Sequence, residues 1–124
     1  MGKGMGHKKW CIPDLYMKEP GNRPTPSHES ITIFNTGEET AEVGLTLVFD
    51  SRENTGRIEG IQVKPMQARQ IRMDNLEAWN MKIPVATCYS AILESSKNVV
   101  VEYARFNWID GAAQSFAVIP YFED

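Results

Sequence analysis

Apolar and polar residues alternate with a period of two along most of the chain, which is the pattern of half-buried β-strands. The clearest example is the segment 42–50, where Val43, Leu45, Leu47 and Phe49 occupy every second position and should share one buried face. Shorter segments of the same kind predict strands at residues 10–12, 30–34, 58–63, 67–73, 85–94, 98–106 and 114–120.

Turn-forming residues separate these segments. Residues 20–26 contain three prolines, which fix φ and lack a backbone donor, so this stretch should be an extended loop. Pro13 is expected to end the first strand, and Gly60 interrupts the alternation of its strand, which predicts a β-bulge. Asp74 is a suitable N-cap for one helical turn over residues 74–80.

About eight short strands with turn signals between them are typical of a sandwich or barrel. A chain of 124 residues corresponds to one domain. We therefore predict an all-β, single-domain antiparallel β-sandwich over residues 9–124. Residues 1–8 are Gly-rich and are expected to form a flexible leader.

Charge and motifs narrow the classes of function. A formal net charge of −3 disfavours nucleic acid as a partner, although 13 Lys and Arg residues could cluster on one face. There is no secretory signal and no apolar run of about 18 residues, so a cytoplasmic protein is expected. Cys11 and Cys88 are too few and too far apart in sequence for a disulfide framework or a zinc site.

Motifs for catalysis are also missing from the sequence. No Gly-rich phosphate loop follows a strand, and His28-Glu29 lacks the second histidine of a zincin helix. The acidic residues show no spacing that predicts a catalytic pair. We therefore expect no catalytic residues, no metal, no cofactor and no enzymatic activity.

Charged residues in register with apolar ones are the first candidates for a binding site. Arg69 lies on the same predicted strand face as Ile71, and both Tyr103 and Arg105 lie on the same face as Val101. Each arginine at the end of a buried face needs a partner, because an unpaired buried charge is costly. Glu29 and Glu102 are the candidate partners. The alternative is that both arginines lie at the rim and extend into water.

Aromatic residues at strand ends and in loops are a second signal. Aromatic residues together with arginine, glutamate and asparagine suit a pocket for a small polar ligand. The aromatic residues in question are Trp10, Tyr16, Trp79, Tyr103 and Trp108. For any single tryptophan, the competing interpretation is that it caps the core or fills a subunit interface.

The order of several short blocks resembles a known family. The blocks are Trp10, then residues 27–29, 35–37, 63–76 and 99–105, the last reading Val-Val-Val-Glu-Tyr-Ala-Arg. Over nearly the whole chain they are similar to the sensory rhodopsin transducer family, named for a soluble cyanobacterial protein that partners a sensory rhodopsin.

The resemblance implies a prokaryotic β-sandwich that assembles as a homotetramer and binds small molecules, with sugars or sugar-like compounds favoured. The family's polar positions carried onto this chain, together with Tyr103 from the strand pattern, give the candidate ligand-binding residues Trp10, His28, Glu29, Asn35, Arg69, Arg72, Tyr103 and Arg105. This chain departs from the expected pattern at Trp108, which stands in a segment expected to be more polar.

The leading hypothesis is thus a ligand-binding and signal-transducing protein. Arg69, Arg105 and Glu29 lie at the ends of inward-facing strand patterns and should converge on one pocket. There the arginines would bind polar oxygens, Glu29 would accept hydrogen bonds from hydroxyl groups, and Trp10 would stack on a ring. Three alternatives stay open: a transducer that docks on a membrane sensory receptor such as a sensory rhodopsin, a DNA-associated regulator, and a carbohydrate-modifying enzyme.

Overall fold

The computed structural model describes residues 3–50 and 55–124. Within those ranges the chain forms eight β-strands and a single turn of 3-10 helix at Glu77–Trp79. The strands are β1 (His7–Met17), β2 (His28–Asn35), β3 (Ala41–Phe49), β4 (Thr55–Val63), β5 (Gln67–Arg72), β6 (Thr87–Ile109), β7 (Ala112–Val118) and β8 (Tyr121–Glu123). The all-β prediction is therefore confirmed.

The strands form a two-layer antiparallel sandwich in which β6 belongs to both layers. The first layer has the strand order β4-β3-β6-β1-β8, and the second has β5-β2-β6-β7. β6 pairs with β3 as far as Ser95 and with β2 from Val100 onward. The two layers are therefore joined by one uninterrupted strand.

The length of β6 differs from the sequence prediction. We expected separate strands at residues 85–94 and 98–106, because Ser95, Ser96 and Lys97 interrupt the apolar alternation. The segment contains neither glycine nor proline, so nothing in it forces the backbone out of the extended conformation. The structure instead has a single strand of 23 residues. The number of strands still agrees with the prediction, because the two predicted strands that merge into β6 are offset by β8, which was not predicted.

The core lies between the inward faces of the two layers. Leu45 and Leu47 of β3 are fully buried from the first layer, and Ile31 and Ile33 of β2 are fully buried from the second. This confirms the alternation predicted for residues 42–50, with one exception. Phe49 is only partly buried and packs at the margin of the core.

β1 is longer than expected at both ends. Pro13 does not end it, because β8 pairs only with residues 9–11 of β1 and leaves the outer edge free at Pro13. A proline is tolerated on such an edge, and the β1–β6 register shifts there, between Ile12 and Leu15. β1 also begins at His7, inside the segment assigned to the leader. Residues 1–2 of that leader lie outside the described residues.

The bulge predicted at Gly60 is confirmed, whereas the predicted helix cap is wrong. The β3–β4 register shifts between Val43 and Leu45, and Gly60 has a φ of 76°. The helical turn is capped at Leu76 with no side-chain hydrogen bond, because the carboxylate of Asp74 binds Arg72 instead. Residues 51–54 of the loop predicted after β3 lie outside the described residues.

None of the helical segments in the described part of the chain is long and apolar enough to cross a membrane.

Candidate functional site

A buried carboxylate lies where the two layers meet. Glu29 is only 3% exposed, and both of its oxygens accept hydrogen bonds. Oε1 accepts from the hydroxyl of Tyr89 at 2.9 Å. Oε2 accepts from the backbone N–H of Tyr16 at 2.8 Å, from Arg105 Nη2 at 3.3 Å and from the hydroxyl of Tyr103. We call these four side chains, Glu29, Tyr89, Tyr103 and Arg105, the Glu29 cluster.

The fold explains why these residues meet. Glu29 is opposite Arg105 in the β2–β6 register, and directly opposed residues share a face of the sheet. Tyr89 and Tyr103 both belong to β6, the first in its first-layer half and the second in its second-layer half. Because β6 crosses between the layers, both hydroxyl groups can reach the same carboxylate, Tyr89 at Oε1 and Tyr103 at Oε2.

Burial and the charge of Glu29 set the protonation of its partners. Burial, followed by the negative charge and hydrogen bond of Glu29, raises the pKa of Tyr89, and the same causes raise the pKa of Tyr103. Burial alone lowers the pKa of Arg105, but a hydrogen bond with Tyr103 and the charge of Glu29 outweigh it and hold that pKa above its ordinary value. Both tyrosines are therefore neutral donors and the arginine is a permanent cation.

Arg105 is the member of the cluster that reaches the surface. Its side chain is 21% exposed, its Nε donates to the Tyr103 hydroxyl at 2.9 Å, and its Nη2 lies 3.4 Å from the carbonyl oxygen of Asp14. The ring of Phe116 lies 5.6 Å from the guanidinium carbon. Within the described residues Nη1 makes no hydrogen bond, so this nitrogen presents donors outward beside an aromatic ring.

Arg69 does not join this cluster, contrary to the expectation that Arg69, Arg105 and Glu29 converge. Arg69 is opposite Ile33 in β2, four residues beyond the position of Glu29, which is about 13 Å along a strand. β5 and β6 also flank β2 on opposite sides. Arg69 Nη1 donates to the carbonyl oxygen of Gln62 in the first layer at 2.9 Å, so it bridges the layers at the other edge.

Two further candidate residues are buried with their polar atoms engaged by the protein. Trp10 is 2% exposed and its indole N–H donates to the carbonyl oxygen of His7 at 3.0 Å. The side-chain amide of Asn35 donates to the carbonyl oxygen of Val63 at 2.9 Å, while its oxygen accepts from the N–H of Gly37 at 2.9 Å. Asn35 thus holds its turn against the end of β4, whereas Trp10 bonds to the backbone of its own strand.

The last two candidates lie on the outward side of the second layer. His28 donates from Nδ1 to the carbonyl oxygen of Pro26 at 2.7 Å and stacks on Phe106. Arg72 makes a two-pronged contact with Asp74, at 2.8 and 2.7 Å. Of the eight candidate residues, the structure brings together only Glu29, Tyr103 and Arg105.

The sequence prediction missed Tyr89 and Phe116. Tyr89 lies in the strand predicted at residues 85–94, on the same face as the apolar Ala91 and Leu93. A tyrosine hydroxyl on an apolar face needs a buried partner, so this position carried a usable signal. Phe116 carried none, because its proximity to Arg105 depends on the pairing of β6 with β7.

Trp108 fastens the proline-rich loop to the end of β6. Its indole N–H donates to the carbonyl oxygen of Thr25 at 2.7 Å, and its backbone N–H donates to Ser27 Oγ at 3.0 Å. The guanidinium carbon of Arg23 lies 4.1 Å from the centre of the ring. The residue that departs from the family pattern thus holds residues 20–27 against the second layer.

Other parts of the described chain offer little for metal chemistry. No group of three or more His, Cys, Asp or Glu side chains suited to a metal occurs among the described residues. Cys11 and Cys88 face different residues of the neighbouring strand, Ile92 and Tyr16, and are free thiols in the described part of the chain. An open cleft of about 700 Å³, lined by Phe49 and Met81 among others, is separate from all eight candidate residues.

Fold and site together define a small all-β sandwich in which a buried carboxylate anchors an outward-reaching arginine. The family model described as Anabaena sensory rhodopsin transducer matches residues 5–122. The chain therefore belongs to the Anabaena sensory rhodopsin transducer family, as the order of its sequence blocks indicated.

Solved structures agree with this assignment. The crystal structure of Thermotoga maritima 1070 is 31% identical, with a TM-score of 0.84 over 95% of this chain and 96% of that one. The Anabaena sensory rhodopsin transducer is 27% identical, with a TM-score of 0.71 over 81% of this chain and 88% of that one. A comparison with curated proteins gives no match.

Proposed function

We propose that this chain is a signal-transducing protein that acts by binding rather than by catalysis, and that its partner is a membrane sensory receptor of the sensory rhodopsin kind. The observation that carries the proposal is the family match over residues 5–122. The similar structure named as a sensory rhodopsin transducer covers most of this chain and supports the same class of partner. A cytoplasmic location would place the chain beside the cytoplasmic face of such a receptor.

Receptor binding can be tested by co-sedimentation with proteoliposomes that contain a sensory rhodopsin. We expect the chain to sediment with these vesicles and to stay in the supernatant with receptor-free vesicles of the same lipid composition. Equal sedimentation with both kinds of vesicle would contradict the proposal, because the lipid alone would then explain the binding.

A second candidate function, favoured by the geometry of Arg105, is the binding of a small polar ligand. Glu29 and Tyr103 fix the guanidinium, so little conformational entropy would be lost when its outward N–H groups bind an oxygen. Phe116 supplies an adjacent apolar surface. We propose a ligand that carries a carboxylate or several hydroxyl groups, with sugars and sugar acids first because the family resemblance favours them.

The hydrogen bonds of the Glu29 cluster favour fewer ligand contacts than the eight candidate residues would supply. Arg105 would touch the ligand with Tyr103 beside it, and Glu29 would hold the arginine from beneath, since its oxygens already accept four hydrogen bonds. The other candidates from the resemblance lie outside the Glu29 cluster and apart from it, and they remain candidates: Trp10, His28, Asn35, Arg69 and Arg72.

Ligand binding can be tested by thermal shift with a panel of sugars, sugar acids and small carboxylates, because a ligand of the folded state raises the melting temperature. For the best compound, Arg105→Ala should weaken binding by about 1.5–3 kcal/mol, the scale of a hydrogen bond to a charged group. Arg57→Ala, at an exposed arginine outside the eight candidate residues, is the matched control and should bind like the parent. Equal binding by Arg105→Ala and the parent would remove Arg105 from the site.

The assembly proposed with this function is a homotetramer, as the family resemblance implies. Several large apolar side chains are exposed near the C-terminal end, including Phe116 at 49% and Tyr121 at 63%. Exposed apolar surface of this kind is typical of protein interfaces. Light scattering should give four times the chain mass of 14.0 kDa, and a monomer mass would contradict the assembly.

A further inference from the structure

A cavity of about 340 Å³ lies at the end of the sandwich where β1 and β5 finish. Residues from two connecting segments line it, 18–27 between β1 and β2 and 73–86 between β5 and β6. The N–H of Ala86 donates to the carbonyl oxygen of Met17 at 2.7 Å and joins the second segment to the end of β1. Among the described residues that line this cavity, none belongs to the eight candidates. We call it the end cavity, and its volume is in the range of small-molecule sites.

The buried part of the wall is apolar and rich in methionine. Met17 and Met73 line the end cavity together with Leu76 and Ile83, and all four side chains are buried. Methionine is unbranched and flexible, so its side chain adapts to the shape of an apolar group placed against it. This wall therefore suits a ligand with an apolar body.

One buried polar side chain in the wall has an unused donor. Ser27 is 3% exposed and lines the end cavity. Its Oγ accepts a hydrogen bond from the backbone N–H of Trp108 at 3.0 Å, but its own hydroxyl proton has no acceptor among the described residues. A buried donor without an acceptor is costly. An oxygen atom of a bound ligand would remove that cost, so Ser27 points to a ligand with an acceptor.

The charged residues at the mouth of the end cavity favour an anionic group. Lys18 and Lys82 are exposed and form no salt bridge within the described part of the chain. Asp74 is bound by Arg72 through both carboxylate oxygens, so its charge is compensated. Against the two lysines this leaves only Glu77 among the described lining residues. The balance of charge at the mouth is therefore positive.

We propose that the end cavity binds a small monocarboxylate with an apolar body, of the kind of a medium-chain fatty acid. The apolar body would lie against Met17 and Met73. The carboxylate would accept hydrogen bonds from Ser27, Lys18 and Lys82. This arrangement satisfies the buried hydroxyl and pairs the ligand charge with the lysines, while the methionines cover the rest of the ligand.

This ligand differs in chemistry from the one proposed for Arg105. A sugar placed against the apolar wall of the end cavity would leave most of its hydroxyl groups without partners, which is costly. A fatty acid loses no such hydrogen bonds when its chain is buried. The inference thus goes beyond the proposed function by adding a site that uses neither Arg105 nor a receptor.

A series of carboxylates of increasing length tests the apolar wall. Burial of each methylene group adds a constant increment of binding free energy, so affinity should rise about fourfold per carbon from butanoate to octanoate. Octanol should bind more weakly than octanoate, and octylamine more weakly still, since both lack the carboxylate. Affinity that does not depend on chain length, or octanol binding as tightly as octanoate, would overturn the assignment.

Nuclear magnetic resonance of isotope-labelled methionine methyl groups measures these affinities and locates the ligand. Octanoate should shift the signals of Met17 and Met73, because both side chains line the end cavity. Met5 and Met66, each 69% exposed at other places on the surface, are internal controls whose signals should not move. Shifts of the control signals without shifts of Met17 and Met73 would mean that octanoate binds the surface instead.

Met81 distinguishes the end cavity from the open cleft of about 700 Å³. This residue lines both, and its terminal methyl group lies against Gly56 of β4, beside the open cleft. A shift confined to the Met81 signal would place octanoate in the open cleft and reject the proposed site. A shift of Met81 together with the two buried methionines would support it.

Charge-removing variants test the mouth of the end cavity. Lys18→Gln with Lys82→Gln should weaken octanoate binding about three- to tenfold, the scale of charge-assisted contacts partly screened by solvent, and should leave octanol binding unchanged. Lys8→Gln with Lys64→Gln, at exposed lysines outside the end cavity, is the matched control and should bind octanoate like the parent. Equal octanoate affinity in the two double variants would reject recognition of the carboxylate. These titrations contain no receptor, so their failure would leave the co-sedimentation test of the proposed function unaffected.

Discussion

At the scale of single residues, the cost of burying charge determines what Glu29 does. A buried carboxylate must be compensated by donors and by an opposite charge, and the Glu29 cluster supplies both. Sequence patterns identified Glu29 as a partner for a strand-end arginine and placed Arg105 on the right face. They could not show that two tyrosine hydroxyl groups and a backbone N–H occupy the carboxylate, since these contacts depend on how the layers stack.

The first prediction concerns Glu29 itself. Replacing Glu29 with alanine leaves Arg105 partly buried without its counter-charge and both tyrosine hydroxyl groups without an acceptor. We expect a loss of about 3–5 kcal/mol in the free energy of unfolding, the scale for breaking a buried ion pair, measured by urea denaturation. Glu102→Ala, on the outward face of β6, should change stability by less than about 0.5 kcal/mol. Equal effects of the two substitutions would contradict the anchoring role of Glu29.

The second prediction concerns alkaline pH. Burial and Glu29 raise the pKa of Tyr89 and of Tyr103 in the folded protein, whereas an unfolded tyrosine titrates near pH 10. Above about pH 10 the unfolded state releases protons that the folded state keeps, so the free energy of unfolding falls as the pH rises. Urea midpoints should be unaffected by these two groups below about pH 9 and should decrease above about pH 10.

Phenylalanine variants separate these tyrosines from other groups that titrate at high pH. Tyr89→Phe and Tyr103→Phe remove the ionisable hydroxyl, so each should make the alkaline decrease shallower than in the parent. Tyr121→Phe, at an exposed position, is the matched control and should keep the slope of the parent. An alkaline slope that is the same in all four proteins would exclude the buried hydroxyl groups as its cause.

Arg69 illustrates the limit of reasoning from single strands. Its position on the inward face was correctly inferred, since it is opposite the buried Ile33. Whether two inward arginines meet depends on the order of strands and on their register, and neither follows from alternation. β5 and β6 lie on opposite sides of β2. Arg69 and Arg105 therefore share the inward face of the second layer but are separated by β2.

At the scale of elements, alternation predicted most strands because one face of each packs on the core while the other meets solvent. Predictions from local sequence failed where another interaction dominated or where the segment was too short. Asp74 was expected to cap a helical turn, but it lies within reach of Arg72, and the ion pair engages its carboxylate. β8 is too short for a periodic signal, and all three of its residues are exposed.

The third prediction tests the central strand of the first layer. Leu47 is fully buried in β3, between β4 and β6, and truncation to alanine removes apolar contacts and leaves a cavity. We expect a loss of about 2–5 kcal/mol in the free energy of unfolding. Val48→Ala, on the outward face of the same strand, should cost clearly less. A larger effect at Val48 would place the core on the wrong face of β3.

The fourth prediction tests the bulge in β4. Gly60 has a φ of 76° and nothing within 4 Å of an added Cβ, so substitution should cost backbone strain without a clash. We expect Gly60→Ala to lower the free energy of unfolding by about 1–2 kcal/mol. Gly60→Asn should cost less, because asparagine tolerates the left-handed conformation better. Equal costs for both variants, measured by urea denaturation, would argue against a left-handed residue at the bulge.

At the scale of the whole molecule, the sequence predicted the class of fold and the family but not the way in which the layers are connected. The decisive feature is β6, which pairs with β1 and β3 in one layer and with β2 and β7 in the other. Because β6 was predicted as two separate strands, the sequence did not show that one strand joins the two layers. The Glu29 cluster adds a second link, since its tyrosines belong to the two halves of β6.

The fifth prediction follows from this shared strand. Neither layer can unfold without disrupting β6, so loss of one layer exposes the apolar face of the other, and the two should unfold in one cooperative transition.

Variants with one tryptophan can report on each layer separately. Trp10 lies in β1 of the first layer, and Trp108 lies in the second-layer half of β6. Urea midpoints followed by the fluorescence of Trp10 alone and of Trp108 alone should each coincide with the circular dichroism midpoint of the same variant. Ile33→Ala, which truncates a side chain that the second layer contributes to the core, should then lower the Trp10 midpoint as much as the Trp108 midpoint. A shift confined to Trp108 would mean that the layers unfold independently and that the continuity of β6 does not couple them.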